Sequence, residues 1–504
     1  MENKHLFIDD FEVESKQNLK RTFHPPEKMG TVLEPDKPWE DPFGCACPMV
    51  IRDPDEGILK MWYWNSKDGL SDLYAISADG LNWEKPILNL VEIDGSTENN
   101  KVKTPGRIGP GAVFYCPEST VSEGEDKLYR TVSWIPGGEW SQRYLPIFSA
   151  DGLDWQTVDN QDKEPGISGD GVGDTGTFLI ADDDFPMIRD DVPGRYVAFP
   201  RLHARIGRFG RRAVGMTYTN STPNRARLML DWPRPCLVLA PDLIDDEMAR
   251  ERLDRAYTDG IIHYKDPADY HCEFYTMQPW AVGNVFLGAV YVFDVSMDMG
   301  KHGMWNQHGI METQLVYSRD LVHWDRLGDR QPWIARGESG EQDCAMIHFD
   351  SIPIRAGDWM YQYYSSGNLP HPSVNQQWLY EQRRLIKAGK RHPLQAIGCV
   401  RFRPDHYISL SAGNCSGQVT TKAMTVSGSA LRVNVDAAGG ELQVSALTES
   451  GQAITGYEQS KPITGDNIEA EAEFENNFAD LKEQRVKLRF TLQNAKLFSY
   501  TLVK

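Results

Sequence analysis

The chain has 504 residues, 40% of them hydrophobic and 11% aromatic, and its formal net charge is −19. This length allows two or three domains with sizeable cores, while the acidic excess disfavours nucleic acids and anionic membranes as partners. No apolar run approaches the ~20 residues of a membrane span, and the N-terminus lacks the apolar core of a signal peptide. We therefore expect a cytoplasmic protein.

A short plan recurs five times along the chain: an aromatic, strand-like stretch, then a second stretch that ends in an aspartate turn and a tryptophan. The clearest turns are Ser77–Trp83, Ser149–Trp155 and Ser318–Trp324, and weaker copies surround Asn220 and Asp405. The copies follow one another at roughly 70 to 90 residues, which suits four-stranded propeller blades with long loops. The pattern predicts an all-β fold, a five-bladed β-propeller.

The aspartate turns are predicted to be structural. In such a turn the carboxylate accepts hydrogen bonds from nearby amides, and the tryptophan is expected to pack between blades. Strand counting puts the turns on the propeller face opposite the mouth where the inner strands begin.

The chain changes character near residue 405. Beyond it, strands with alternating polarity, such as Ala430–Val435 and Val486–Leu492, lie between Gly, Asp and Asn turns, a pattern typical of a small β-sandwich. A helix is predicted around 374–388 and a shorter one at 245–256. The predicted units are a propeller domain at 1–405, with a lead-in at 1–35 and an insertion near 368–396, and a C-terminal β-sandwich at 406–504.

The eight cysteines are scattered without zinc-ribbon spacing. We interpret them as buried free thiols rather than disulfides or metal ligands. The sequence predicts no cofactor. A structural Ca²⁺ ion at the channel mouth is an alternative, because carboxylates suit this hard cation. No diagnostic loop in the sequence identifies a site for it.

The residues that begin the inner strands converge on the upper mouth of the propeller channel. Four of the five predicted positions are carboxylates, and the fifth, at Arg107, has none. The four are Asp41, Asp174, Glu273 and Asp343. Clustered carboxylates repel and raise one another's pKa, so the ring indicates acid/base chemistry or a bound cation. Ordinary solvated acids are the alternative.

The segment Trp39-Glu-Asp-Pro-Phe-Gly44 resembles the start of the first blade in the five-bladed glycoside hydrolases of families 32, 43, 62, 68, 117 and 130. In that superfamily an aspartate just before a proline is the nucleophile or general base, which implies this role for Asp41. The superfamily also has a second-blade aspartate and a third-blade glutamate acid. This chain lacks the former and has Asp174 at the latter position.

Glycoside cleavage needs a carboxylic acid that protonates the leaving oxygen and a carboxylate that attacks or activates water. We assign Asp41 as the nucleophile or base. Glu273 is assigned as the acid, because we expect its aromatic neighbours to raise its pKa by desolvation. Asp174 would orient the sugar or stabilise positive charge in the transition state, and Asp343 is a reserve candidate.

Side chains that bind the substrate are expected at the same mouth, where aromatic rings stack on sugars and polar groups bond hydroxyls. The candidates are Trp64, Arg107, Arg201, His203, His271, Trp305, His308 and Asp343. For individual tryptophans, core packing is the alternative. Five arginines lie within residues 201–212, where they either clamp a substrate carboxylate or sulfate or form a solvated loop that balances nearby acids.

Together these features predict an exo-acting glycoside hydrolase that releases a terminal furanose or modified sugar from a small glycoside or oligosaccharide. One alternative is a glycoside phosphorylase, in which the arginines would hold phosphate. A second is a non-catalytic carbohydrate-binding propeller. No nucleic acid or membrane partner is expected. The sequence does not decide between a monomer and a homo-oligomer.

Overall fold

The computed structural model describes residues 3–65, 71–108, 113–117, 127–136, 142–157, 167–168, 187–189, 195–219, 233, 235–298, 307–371 and 376–504. In these ranges the chain is mostly β-strand, with two α-helices, α1 (Leu243–Thr258) and α2 (Gln376–Lys387). Both helices lie where the sequence predicts them, and the all-β class is confirmed. Neither described helix has the length and apolar character needed to cross a membrane.

The chain begins with four strands that pair with partners far along the sequence. They are β1 (Asn3–Leu6), β2 (Val13–Gln17), β3 (Lys20–Phe23) and β4 (Glu27–Leu33). The first three join a sheet formed by the C-terminal part of the chain, and β4 joins a sheet within residues 271–402.

Three antiparallel sheets follow one another over residues 45–239. The first comprises β5 (Cys45–Arg52), β6 (Leu59–Asn65) and β7 (Ser71–Ser77). The second comprises β8 (Arg107–Ile108), β9 (Phe114–Tyr115), β10 (Tyr129–Pro136), β11 (Gln142–Ser149), β12 (Gln156–Thr157) and β13 (Ile167–Ser168). The third comprises β14 (Met187–Arg189), β15 (Tyr196–Ala198), β16 (Arg201–Ile206), β17 (Phe209–Tyr218) and β18 (Cys236–Leu239).

A ten-stranded sheet spans the fourth and fifth predicted units. Besides β4 it comprises β19 (His271–Val282), β20 (Val285–Asp298), β21 (Gln307–Ser318), β22 (Trp324–Arg326), β23 (Pro332–Ile334), β24 (Met346–His348), β25 (Ile354–Ala356), β26 (Trp359–Gly367) and β27 (Gln395–Phe402). Its halves meet through a parallel pairing of Met311 with Met346. Because they form one sheet, the count of five blades stays a prediction.

These sheets pack in cyclic order, as in a propeller. The ring of Trp62 in the first sheet lies 6.2 Å from that of Tyr129 in the second, and Phe114 of the second lies 5.3 Å from Tyr196 of the third. Strand β17 packs on β19, while β26 and β27 pack on β5. Strand β4, which comes before the first sheet in the sequence, pairs with β27 and so becomes the edge strand of the ten-stranded sheet.

The C-terminal unit is a second ten-stranded sheet, which curls around one apolar core. Besides β1–β3 it comprises β28 (Ile408–Ala412), β29 (Gly417–Thr421), β30 (Met424–Thr425), β31 (Ala430–Leu447), β32 (Ile463–Glu471), β33 (Arg485–Gln493) and β34 (Ala495–Val503). The long β31 pairs with β34 along its first half and with β33 along its second. The sequence predicts a small β-sandwich here, and the structure has one curled sheet, to which the predicted lead-in contributes β1–β3.

The aspartate turns have the structural role that the sequence predicts. Asp151 Oδ1 accepts hydrogen bonds from the amides of Leu153 at 2.8 Å and Asp154 at 3.0 Å. Burial acts to raise the pKa of Asp151, but these hydrogen bonds outweigh it and hold the pKa below its ordinary value. The Trp155 ring packs edge-on against Trp62 of the preceding sheet, at 6.2 Å. The turn therefore ties two sheets together.

The strand pairing fixes the end of the propeller at which the turns lie. In the first sheet Asn65 pairs with Ser71 at one end, and Leu59 pairs with Ser77 at the other. The turn that follows Ser77 is therefore at the end away from Asn65. In the second sheet Pro136 pairs with Gln142 at one end and Tyr129 pairs with Ser149 at the other. The turn after Ser149 therefore lies at the same end as the turn after Ser77, and the predicted side of these turns is confirmed.

We expect Asp151→Ala to lower the free energy of unfolding by about 1 to 2 kcal/mol, because two turn amides lose their acceptor. Chemical denaturation measures this. Asp154→Ala is the matched control, because it removes only an exposed ion pair with Lys103 and should cost within about 0.5 kcal/mol. An equal effect of both substitutions would contradict the structural role of Asp151.

Candidate active site

A cavity of about 320 Å³, here termed the upper cavity, lies at the end where the inner strands begin. Its wall combines aromatic, cationic and imidazole side chains from several sheets. They include Phe43, Trp64, Arg107, Tyr275, His348 and His371. A second cavity, of about 560 Å³, lies at the opposite strand ends beside β1 and has a mostly aliphatic and aromatic lining. The upper cavity is therefore the candidate for chemistry on a polar substrate.

Asp41 lies in a tightly bonded turn next to the upper cavity, where its hydrogen-bond partners Phe43 and Asn65 line the wall although Asp41 itself does not. Its backbone N–H donates to Asn65 Oδ1 at 2.8 Å, and its Oδ1 accepts from the Phe43 amide at 2.8 Å. Asn65 also donates to the carbonyls of Asp41 and Gly44. The Asp41 Oδ2 lies 3.3 Å from Nε of Arg383 on α2. The Phe43 amide and the Arg383 guanidinium thus hold the carboxylate in place.

Glu273 does not have the raised pKa that its sequence neighbours predict. Its side chain is fully buried, with Arg212 Nη1 at 2.5 Å from Oε2 and His271 Nε2 at 3.0 Å from Oε1. Burial acts to raise the pKa of Glu273, but His271 and Arg212 outweigh it and lower the pKa to about 2. The predicted increase is wrong, because the sequence did not reveal these two partners. An ionised carboxylate cannot protonate a leaving group.

Two predicted site residues, Asp174 and Trp305, lie outside the described residues. Their assigned roles stay predictions.

Trp64 and Arg107 both line the upper cavity, where they form a stacked pair. The Arg107 guanidinium lies 3.4 Å from the centre of the Trp64 ring, and Trp64 Nε1 donates to the Ile108 carbonyl at 3.0 Å. Trp64 is only 7% exposed. One face of the indole is therefore covered by a guanidinium instead of being open to a sugar.

Three other predicted binding residues bond to side chains within the protein and do not line the upper cavity. His271 bonds Glu273, as described above. His308 Nδ1 lies 2.8 Å from Ser296 Oγ, and burial lowers the pKa of His308 to about 4. Asp343 Oδ2 lies 2.6 Å from Lys28 Nζ. The partners of His308 and Asp343 lie 12 and 315 residues away, so the sequence could not reveal them, whereas His271 and Glu273 are two residues apart on one strand.

The arginine-rich segment is a β-hairpin formed by β16 and β17. Arg211 donates to both carboxylate oxygens of Asp246, and Arg212 pairs with Glu273. Arg201 is buried, with its Nε 2.6 Å from the Tyr275 carbonyl and its guanidinium 3.8 Å from the Tyr275 ring. Arg211 and Arg212 thus balance internal acids, while the exposed turn of the hairpin carries Arg205 and Arg208.

His203 lies opposite Arg212 in the pairing of this hairpin. Like Arg201, it is not on the wall of the upper cavity. A substrate-binding role for either residue stays a prediction.

The sequence interpretation missed His348, Asp350 and His371. We expected the inner strand of the fifth unit to begin near Asp343, but β24 begins at Met346. The strand start is therefore three residues later, which brings His348 to the cavity wall instead of Asp343. The polar pair in the short sequence His348-Phe-Asp350 was the available signal.

No cluster of three or more His, Cys, Asp or Glu side chains suited to a metal ion exists in the described part of the chain. The Ca²⁺ ion considered from the sequence thus gains no ligand set there. All eight cysteines are free thiols, and six of them are buried as the sequence predicts, whereas Cys236 and Cys415 are exposed.

The chain resembles several solved structures at low sequence identity. An N-acetylgalactosamine deacetylase from F. plautii, in complex with blood group B trisaccharide, is 13% identical with a TM-score of 0.42, over 77% of this chain and 96% of that one. A GH32 beta-fructofuranosidase from Bombyx mori is 8% identical with a TM-score of 0.35, over 91% and 94%. A GH62 hydrolase in complex with xylotriose is 12% identical with a TM-score of 0.37, over 75% and 98%. No protein-family model and no curated protein sequence matches the chain.

Proposed function

We propose that this protein is a glycoside hydrolase that binds the end of a small glycoside or oligosaccharide in the upper cavity. The observation that carries the proposal is the position of Asp41, whose backbone is held by Asn65, a residue on the wall of this cavity of about 320 Å³. This volume lies at the lower end of the ~300–1,000 Å³ range of ligand pockets. It suits one or two sugar rings better than a polymer, which supports exo attack.

The wall of the cavity supplies the groups that sugar binding requires. Tyr275, Tyr291 and Phe43 provide aromatic surface, while Asn65, Arg107 and His371 provide hydrogen-bonding groups. Asp41 would act as the nucleophile or as the base that activates water. The release of a terminal furanose or modified sugar is the specific form of the proposal.

A glycoside phosphorylase is the second candidate, because two guanidinium groups lie close to the proposed reaction centre. Arg383 is 3.3 Å from Asp41, and Arg107 lines the cavity. Paired arginines bind phosphate well. Phosphate would then replace water as the group that attacks the anomeric carbon.

A panel of aryl furanosides, pyranosides and uronides, followed by natural oligosaccharides with product analysis, tests the proposal. We expect turnover of at least one furanoside or modified sugar, release of a single terminal unit, and the same rate with or without phosphate. Rates that require phosphate would favour the phosphorylase. Sugar binding without turnover of any glycoside would contradict both enzymes and favour a binding module.

A further inference from the structure

A histidine and a buried aspartate form a pair on the wall of the upper cavity, where β24 ends. His348 lines the cavity with 18% of its side chain exposed, and Asp350 is only 2% exposed. The His348 Nδ1 atom lies 3.1 Å from each carboxylate oxygen of Asp350. The aspartate therefore fixes the orientation of the ring and stabilises its protonated form.

Other strands hold the carboxylate of Asp350 in place. Ser365 on β26 donates its hydroxyl to Oδ2 at 2.5 Å. The Tyr291 hydroxyl on β20, which donates to the Phe349 carbonyl at 2.5 Å, lies 3.2 Å from Oδ1. The Ser365 hydroxyl in turn accepts a hydrogen bond from the Cys47 amide on β5 at 2.7 Å. Burial of a carboxylate is costly unless it is well bonded. This support makes Asp350 a rigid partner for the imidazole.

We infer that His348 donates the proton to the leaving group and that Asp350 is its positioning residue. The inference rests on the proposed glycoside hydrolase function. It supplies the acid that the mechanism lacks, because Glu273 is fully buried between Arg212 and His271 and does not line the cavity.

His371 also lines this cavity but is less suited to the role. Its ring nitrogens lie 3.3 Å from the Tyr275 hydroxyl and 3.2 Å from the Gln307 carbonyl. Both of these partners are neutral. Unlike the Asp350 carboxylate, they do not compensate the charge of an imidazolium.

In the bond-breaking step the proton on His348 Nε2 moves to the glycosidic oxygen as the bond from that oxygen to the anomeric carbon breaks. The anomeric carbon takes its new bond either from a water whose proton passes to Asp41, or from the Asp41 carboxylate itself. In the second case water later cleaves the ester, and its proton returns to Nε2. Either route adds one water to the substrate and leaves both residues in their starting states once protons exchange with solvent.

His348→Gln is the direct test, measured on the full-length protein with aryl glycosides of graded leaving-group acidity. We expect kcat to fall at least ~100-fold for a poor leaving group, the usual effect of losing a positioned acid. For a dinitrophenyl glycoside, which needs little protonation, the loss should be below ~10-fold. Thermal unfolding confirms that the variant is folded.

His323→Gln is the matched control, because His323 Nδ1 lies 2.6 Å from Asp320 in an exposed turn that does not line the upper cavity. It has the same kind of acid–imidazole pair, and its rates should equal those of the unaltered protein. A leaving-group dependence in this control as well would overturn the inference.

Asp350→Asn tests the positioning role through the pH profile of kcat. Loss of the carboxylate destabilises the imidazolium, so the alkaline limb, where the acid loses its proton, should move at least about one pH unit lower. If the pH profile of kcat for Asp350→Asn equals that of the unaltered protein, the positioning role of Asp350 is overturned. The other titratable groups on this wall are Cys47, Arg107, Tyr275, Tyr291 and His371.

These measurements distinguish a failure of the proposed function from a failure of the inference about His348. If the unaltered protein turns over no glycoside in the panel, the proposed function fails and this inference fails with it. If the unaltered protein is active and His348→Gln loses activity equally for good and poor leaving groups, or loses none, only the inference fails.

Discussion

Asp41→Asn is expected to lower kcat on any glycoside substrate by at least ~100-fold while the protein remains folded. The change removes the negative charge that attacks the anomeric carbon or activates water. The amide oxygen that replaces Oδ1 can still accept the hydrogen bond from the Phe43 amide, so the turn should keep its conformation. Steady-state kinetics and thermal unfolding, measured on the same preparation, test both parts.

Asp36→Asn is the matched control for this prediction. Asp36 lies in the same loop and pairs with Lys85 at 2.7 Å, but its side chain is 54% exposed. Its turnover should equal that of the unaltered protein. Near-normal activity of a folded Asp41→Asn variant would remove the main support for the proposed function.

Glu273→Gln is expected to lower the free energy of unfolding by about 3 kcal/mol at neutral pH. The pKa of Glu273 falls from an ordinary value of 4.5 to about 2 in the folded protein, and each pKa unit corresponds to about 1.4 kcal/mol. The variant leaves Arg212 buried without its counter-charge, which is the costly half of breaking a buried ion pair. Chemical denaturation at pH 7 measures the loss.

The difference in free energy of unfolding between the unaltered protein and Glu273→Gln should shrink as the pH falls. Because the folded-state pKa is depressed, the carboxylate stabilises the protein fully above its unfolded value of 4.5 and progressively less as the pH falls toward 2. The curves of the unaltered protein and Glu273→Gln should therefore converge in acid. A constant difference from pH 7 to pH 3 would contradict the ion-pair account.

Glu473→Gln serves as the control, because Glu473 forms an exposed ion pair with Lys461 at 2.7 Å. Its denaturation midpoint should be unchanged. Any effect of Glu273→Gln on turnover should be the same for good and poor leaving groups, since Glu273 does not supply the proton. Recovery only on good leaving groups would restore the acid role that the sequence suggested.

Features that depend on neighbouring residues could be predicted from the sequence. The aspartate turns are of this kind, because the carboxylate of Asp151 bonds amides only two and three residues away. Both helices were found from their local patterns.

Features set by distant partners could not be predicted. The ionisation of Glu273 depends on Arg212, which lies in a different sheet. The start of β24 decides which residue of the fifth unit lines the cavity. Because this strand starts a few residues later than the sequence predicts, His348 lines the cavity and Asp343 does not. Pairing of β1–β3 with the C-terminal sheet joins segments about 400 to 500 residues apart, beyond the reach of any local pattern.

That long-range pairing affects the order in which the protein can fold as it is synthesised. Asn3 pairs with Leu502, so β1 has no partner until β34 has left the ribosome. Contacts of such large sequence separation form slowly, and strand edges that wait for partners are prone to aggregate. The curled sheet can therefore close only after translation has passed residue 503, even though β1–β3 are synthesised long before their partner strands.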